Sequence, residues 1–187
     1  MDLIITQTTL PEQLTPVAAS MSSTFVRSSD KKGYKAELCI NGIDNGIDQA
    51  RKNPDMCASN QEPVPWIALD FGEEVQVSVG KVVIVNRIDC CHARTKNLEV
   101  RLTNELPADG KSVFTGGLLL GTFDGPGTKG QKIEIEAEEQ MLSGRYLLVQ
   151  MDHTESKEGK GDSLNLKEVT AFGKEWKEKS LCDKEKK

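Results

Sequence analysis

Hydrophobic and polar residues alternate with period two at several points along the chain. Leu98-Glu99-Val100-Arg101-Leu102 is one such stretch and Ile133-Glu134-Ile135-Glu136 another, the pattern of a strand with one buried face. Apolar runs at 66–71, 81–85 and 146–151 are short and rich in β-branched or aromatic residues, which predicts strands buried on both faces. Turn-forming clusters separate them: Asn41-Gly42, Asn45-Gly46, Asp109-Gly110, Gly116-Gly117 and residues 124–130. No long stretch carries a helical stripe, and a short helix is expected only within 11–21. Many short strands punctuated by turns predict an all-β fold, a β-sandwich jelly roll. No internal repeat is visible.

Composition narrows the function classes. The chain has 187 residues, the length of one domain with a short appendage. With 24 basic and 29 acidic residues the formal charge is −5, which argues against nucleic acid as the main partner, because counterion release needs a basic footprint. No apolar run approaches the length of a membrane span. Residues 1–5 have no basic region and no apolar core of a secretory leader, so the start gives no sign of export. Five cysteines leave one over after pairing, and no Asn-x-Ser/Thr sequon occurs.

Residues 174–187 stand apart. Ten of these fourteen are charged, which reads as a solvated C-terminal tail, frayed or weakly helical. A docking segment for a protein partner, anchored by Trp176 and Leu181, is the alternative. Residues 156–163 are polar and glycine-rich and read as a mobile loop.

Enzyme motifs are scarce. There is no Gly-x-Ser-x-Gly elbow, no His-Glu-x-x-His and no phosphate loop. Gly125-Pro126-Gly127-Thr128-Lys129-Gly130 fits the dinucleotide fingerprint by letter. That fingerprint works only where a strand gives way to a helix. Here 131–136 alternate like a strand, so a hairpin loop is expected. Two histidines, His92 and His153, offer few ligands or bases for catalysis.

The informative segment is Asn86-Arg87-Ile88-Asp89-Cys90-Cys91-His92-Ala93-Arg94. It follows a buried strand and should emerge at one end of the sandwich, where binding loops lie. A surface ion pair of little consequence is the plain reading of Arg87, Asp89 and Arg94. The functional reading is that Asp89 fixes guanidinium forks that present rigid donors to a polyol. Cys90 and Cys91 are adjacent, so a disulfide between them would be a tight, strained ring. It would offer a flat apolar surface beside polar donors; two free thiols are the other possibility.

The run Arg87-x-Asp89-Cys90-Cys91-x-x-Arg94 resembles the signature of the F-type lectins, the fucose-binding fucolectins. Further segments follow that family's order: 41–46, 56–59, 65–72, 120–123, 144–146 and 164–169. The resemblance covers about 15–173, leaving 1–14 as an N-terminal segment and 174–187 as the tail. It implies a discoidin-type jelly roll that recognises fucosylated glycans without catalysis. Arg87 and Arg94 would donate to the sugar, Asp89 would hold the arginines, and a Cys90–Cys91 disulfide would pack against the sugar's apolar edge.

The departures matter as much. The family's third basic residue is a histidine just after the position of Cys57, where this chain has Ala58-Ser59-Asn60. Ser59 or Asn60 would take its place, and Asn60 lacks the imidazole's shape and charge. Losing one partner of a sugar hydroxyl costs about 1–3 kcal/mol, a tenfold to hundredfold weakening. The family's cysteine partner for Cys57 is here Lys167, so Cys57 needs Cys39 or Cys182 or stays reduced. A calcium site is also implied, with Asn41, Asp44 and Glu168 as candidate ligands. The plain reading of 41–46 is a double Asn-Gly turn.

Two readings stay open. The first is a calcium-dependent lectin for fucose-type glycans, secreted or extracellular. The second is a lectin-like jelly roll that has lost sugar binding and serves in protein interaction or as a structural component, in which case a cytoplasmic location is the alternative.

Overall fold

The computed structural model describes residues 11–29, 31–44, 54–137, 143–154 and 162–177. Among the described residues ten strands are seen: β1 (Glu12–Gln13), β2 (Ala18–Met21), β3 (Cys57–Ala58), β4 (Trp66–Asp70), β5 (Val75–Asn86), β6 (Leu98–Thr103), β7 (Leu118–Phe123), β8 (Lys132–Glu136), β9 (Tyr146–Met151) and β10 (Asn165–Lys177). Two single 3-10 turns, Ala36–Cys39 and His92–Arg94, are the only helical elements among the described residues. The strands form two antiparallel sheets. One runs β1-β10-β5-β8, with β3 also on β10; the other runs β2-β4-β9-β6-β7.

The predicted periodicities appear as faces. In β6, Leu98, Val100 and Leu102 are buried while Glu99 and Arg101 are half-exposed; β8 buries Ile133 and Ile135 and exposes its charges. Between the sheets, Ile67, Leu69, Val82, Ile84, Leu147, Val149, Leu166 and Val169 build the main core. The runs in β4 and β9 are buried on both faces, as expected. Trp66, Ala68 and Leu148 face away from that core and pack under Phe114. The buried Gln150 holds that cover down: its side-chain amide donates to the Phe114 carbonyl and its oxygen accepts the Phe114 N–H.

Three expectations change, and one that was left open is decided. Residues 11–21 form no helix; they supply β1 and β2, whose backbone groups pair with β10 and β4. The tail does not begin at Lys174, because β10 continues to Lys177, pairing Lys174 with Ser78 and Trp176 with Gln76. Residues 124–131 are not a hairpin loop, since β7 and β8 lie in different sheets and the segment crosses between them. Cys57 is bonded to Cys39. Leu181, Cys182 and most of 156–163 lie outside the described residues. Trp176 is about half exposed on β10.

Candidate functional site

β5 ends at Asn86, and the chain leaves the sheet there with a polar hinge. Asn86 is fully buried. Its side-chain N–H groups donate to the carbonyls of His92 (2.9 Å) and Thr128 (3.0 Å), and its oxygen accepts the Arg87 N–H and the Thr95 hydroxyl. One amide thus ties the 87–95 loop to the 125–130 crossover. Gly127 lies against it, and a Cβ there would collide with that amide. The letters resembling a nucleotide fingerprint therefore form a wall behind the arginine loop.

Arg87 is only 8% exposed. Its Nε and Nη2 donate to the two oxygens of Asp89 at 2.7 and 2.8 Å, and Nη1 donates to Asn165 Oδ1 at 3.0 Å. Burial opposes its charge, but the Asp89 hydrogen bond and charge outweigh this and hold the guanidinium above its ordinary value. Arg94 ends the 3-10 turn, and its Nε lies 3.3 Å from Asp162 Oδ1. Asp89 was expected to hold both arginines; the Arg94 contact is to Asp162.

Arg87, Arg94 and Asn60 line one cleft of about 500 Å³, with Phe25, Tyr34, Met56, Ser59, Ser163 and Asn165 among its other walls. A short backbone ladder builds it: Phe25 N–H donates to Ala58, Ala58 N–H to Tyr34 and Ser59 N–H to Leu164. Ser59 is fully buried, its hydroxyl accepting the Leu164 N–H and donating to the Asn60 carbonyl. Asn60, exposed at the rim, is thus the residue available where the histidine was expected. His92 opens the 3-10 turn and is not part of this lining.

Asp89, Cys90 and Cys91 stand on the exposed loop outside the lining. The two cysteines are free thiols with sulfurs 2.8 Å apart, so the structure does not contain the expected ring. Cys91 has φ 58°, a left-handed conformation uncommon outside glycine. The thiol contact and burial push the Cys90 thiol up to about 11, so it is not a thiolate at neutral pH.

The expected calcium ligands meet other partners. Asn41 Oδ1 accepts the Ile43 N–H at 2.9 Å. Asp44 is 2.7 Å from Lys132 Nζ, which holds its carboxyl below the usual range. Glu168 Oε1 accepts the Gly42 N–H at 3.2 Å, while Oε2 is buried without a partner. Burial lifts this carboxyl to about 7, against the pull of the Gly42 and Asn41 amides. Calcium takes six to eight oxygens. Among the described residues no group of three or more His, Cys, Asp or Glu is placed to hold a metal. Residues 45–53 lie outside the described residues.

Asn86, Asn165 and Asp162 were missed from sequence. Two of them had a signal. Asn86 ends an apolar run, and Asn165 is the polar member of Leu164-Asn165-Leu166, whose leucines are fully buried. Asp162 sits in a polar segment and had none.

Residues 40–149, well over half the chain, match the F5/F8 type C family model, described as a NedA-like, galactose-binding domain. Among solved structures, an f-lectin (fucolectin) from striped bass (Morone saxatilis) serum is 24% identical with a TM-score of 0.65. The alignment covers 83% of this chain and 46% of that one, so the chain spans about half the bass protein's length. The lectin binding domain of lectinolysin, a His 62 mutant complexed with Lewis b, is 24% identical with a TM-score of 0.59, covering 84% of this chain and 92% of that one. A Streptococcus pneumoniae fucose binding module is 19% identical with a TM-score of 0.60, covering 88% and 96%. At such identities these structures show a shared fold. No curated protein matches. On the family match, the chain belongs to the F5/F8 type C family of NedA-like, galactose-binding domains.

Proposed function

We propose that the chain is a non-catalytic F-type lectin module that holds a fucose-type glycan in the Arg87–Arg94 cleft. The observation that carries this reading is the convergence of two guanidinium groups on one cleft, each backed by a carboxylate. A guanidinium has five N–H donors. The contacts of Arg87 use three and that of Arg94 one. The remaining donors suit the ring oxygen and hydroxyls of a deoxyhexose, and no bond needs to be made or broken. Phe25, 40% exposed and packed against Tyr34 with ring centroids 5.5 Å apart, adds an aromatic wall for the sugar's apolar face. The Cys39–Cys57 bond supports an oxidising, extracellular setting.

The test is glycan-array screening followed by calorimetry with L-fucose, on the wild type and Arg94→Ala. Arg94 is 39% exposed, so its loss should leave the fold intact. The wild type is expected to select fucose-terminated glycans, and Arg94→Ala to bind them about tenfold to hundredfold more weakly. A folded wild type that binds no glycan would favour the second reading, a jelly roll without sugar binding. The Ala58-Ser59-Asn60 wall, without an imidazole, is the feature that favours it.

A further inference from the structure

We propose that the Lys167 ammonium does in this chain what a bound divalent cation would do, fixing the loop before Cys57 to β10 and making the fold and its cleft independent of calcium. Lys167 sits at a bulge. The ladder with β5 jumps from Leu166↔Asn86 to Glu168↔Val85, leaving Lys167 without a register partner there. Its side chain is 1% exposed, and lysines are almost never that buried unless paired. Its Nζ lies 2.5 Å from Asp55 Oδ2 and donates to the Asp55 carbonyl at 3.1 Å. A carboxylate and a backbone carbonyl are the oxygen types calcium gathers, and here an ammonium gathers them.

The surroundings fit an internal cation. Of the other acids of this region, Asp44 is matched by Lys132, while Glu168 keeps a buried Oε2 without a partner. The position where the resemblance places a cysteine for Cys57 holds the lysine instead, and Cys57 turns to Cys39. Cys39 Sγ in turn lies 3.0 Å from the Leu166 carbonyl, the residue before Lys167. The ion pair and the β3–β10 pairing thus fasten the short stretch 55–58 to β10, and the disulfide ties it to the 36–39 turn. Met56, Ala58, Ser59 and Asn60, which follow Asp55, form one wall of the cleft, so Lys167 acts as a positioning residue for it.

The experiment is thermal melting of the full chain in millimolar calcium chloride and in EGTA, with direct calcium titration by calorimetry. The wild type is expected to melt at the same temperature in both and to give no calcium heat. Lys167→Met leaves the partly buried Asp55 without its cation and should melt roughly 6–15 °C lower. Asp55→Asn/Lys167→Met, with neither charge, should recover part of that loss. A rise of several degrees in the wild type with calcium overturns the proposal, as does a Lys167→Met protein that melts with the wild type. Should Lys167→Met fail to fold, the wild-type calcium titration decides alone. None of these readouts requires the protein to bind sugar.

Discussion

Two charged regions flank β10 and β3, and they are built in opposite order. In the cleft, carboxylates lie behind arginines: Asp89 and Asp162 grip Arg87 and Arg94 and leave guanidinium donors facing open space. At Asp44 and Asp55, lysines close over carboxylates. The difference follows from the two side chains. A guanidinium fork can satisfy a carboxylate with two N–H groups and still present others in a fixed plane. An ammonium has three donors in all, and Lys167 commits two of them to one residue. Arginine therefore suits display and lysine suits closure, and segment 55–60 joins the two regions.

The strongest way to break this comparison is to remove the carboxylate behind the buried arginine. Asp89→Asn keeps the shape but leaves the Arg87 guanidinium, 9% exposed in its side chain, without a counter-charge. A hydrogen bond to a charged group contributes about 1.5–3 kcal/mol, so the melting temperature should fall by roughly 3–10 °C. Fucose affinity should weaken about tenfold or more as the fork loses its orientation. Asp162→Asn is the control: its arginine is more exposed and should lose affinity with little change in melting. Equal melting of the two variants would show that Asp89 is not a supporting group.

Much of the frame was legible in the residues, because strands that bury one face write it with period two. Leu98–Leu102 and Ile133–Glu136 did so, and β4 and β9 wrote burial on both faces as nearly continuous apolar runs. β1 and β2 were not legible. Two and four residues long and mostly exposed, they are strands only because β10 and β4 offer them backbone partners. The end of β10 was hidden for a related reason. Lys174 and Glu175 read as solvated charge and are indeed exposed, but their backbones pair with Ser78 and Val77. Gly173 lets the two strands come so close that a Cβ would strike the Ser78 carbonyl. In the site, Arg87, Arg94 and Asn60 were readable, and they share a cleft. Asp162 was not, because an acid in a polar segment has no periodicity to mark its partner. Lys167 was visible only as a missing cysteine; that its charge is buried against Asp55 depends on a fold that brings β10 over the loop before Cys57.

A smaller effect comes from a buried histidine that feels the charge of Asp162. His153 is 5% exposed, and its Nε2 is buried without a partner. Burial lowers its pKa, with Lys96 adding to the shift and Asp162 and Asp152 opposing it. A folded pKa below the unfolded value means the native state disfavours the proton. Its contribution to stability is complete above the ordinary histidine range, near 6.5, and declines as pH falls through the folded value. Denaturant midpoints measured from pH 7.5 down to pH 5 should therefore fall, and His153→Gln should flatten that slope. Asp162, which holds Arg94, is also the main group that opposes the shift, so fucose affinity should weaken over the same interval in the wild type more than in His153→Gln. An unchanged slope in the variant would mean that His153 titrates as it does in water.

The smallest expected effect is the sharpest on the lysine side. Lys132 and Lys167 each meet one aspartate at 2.7 and 2.5 Å, so by distance they are equivalent. They differ in burial: the side chains of Lys132 and Asp44 are 58% and 40% exposed, against 1% and 20% for Lys167 and Asp55. An exposed pair gains little, because water and salt compete for both charges and two long side chains lose freedom in meeting. Lys132→Ala should therefore leave the melting temperature within experimental scatter in physiological salt, and any loss should vanish in molar salt. The Lys167 variant should keep most of its deficit at high salt, since screening does not reach a buried pair. If Lys132→Ala costs as much as Lys167→Met, burial is not what separates the two lysines, and the Asp44 pair is part of the closure.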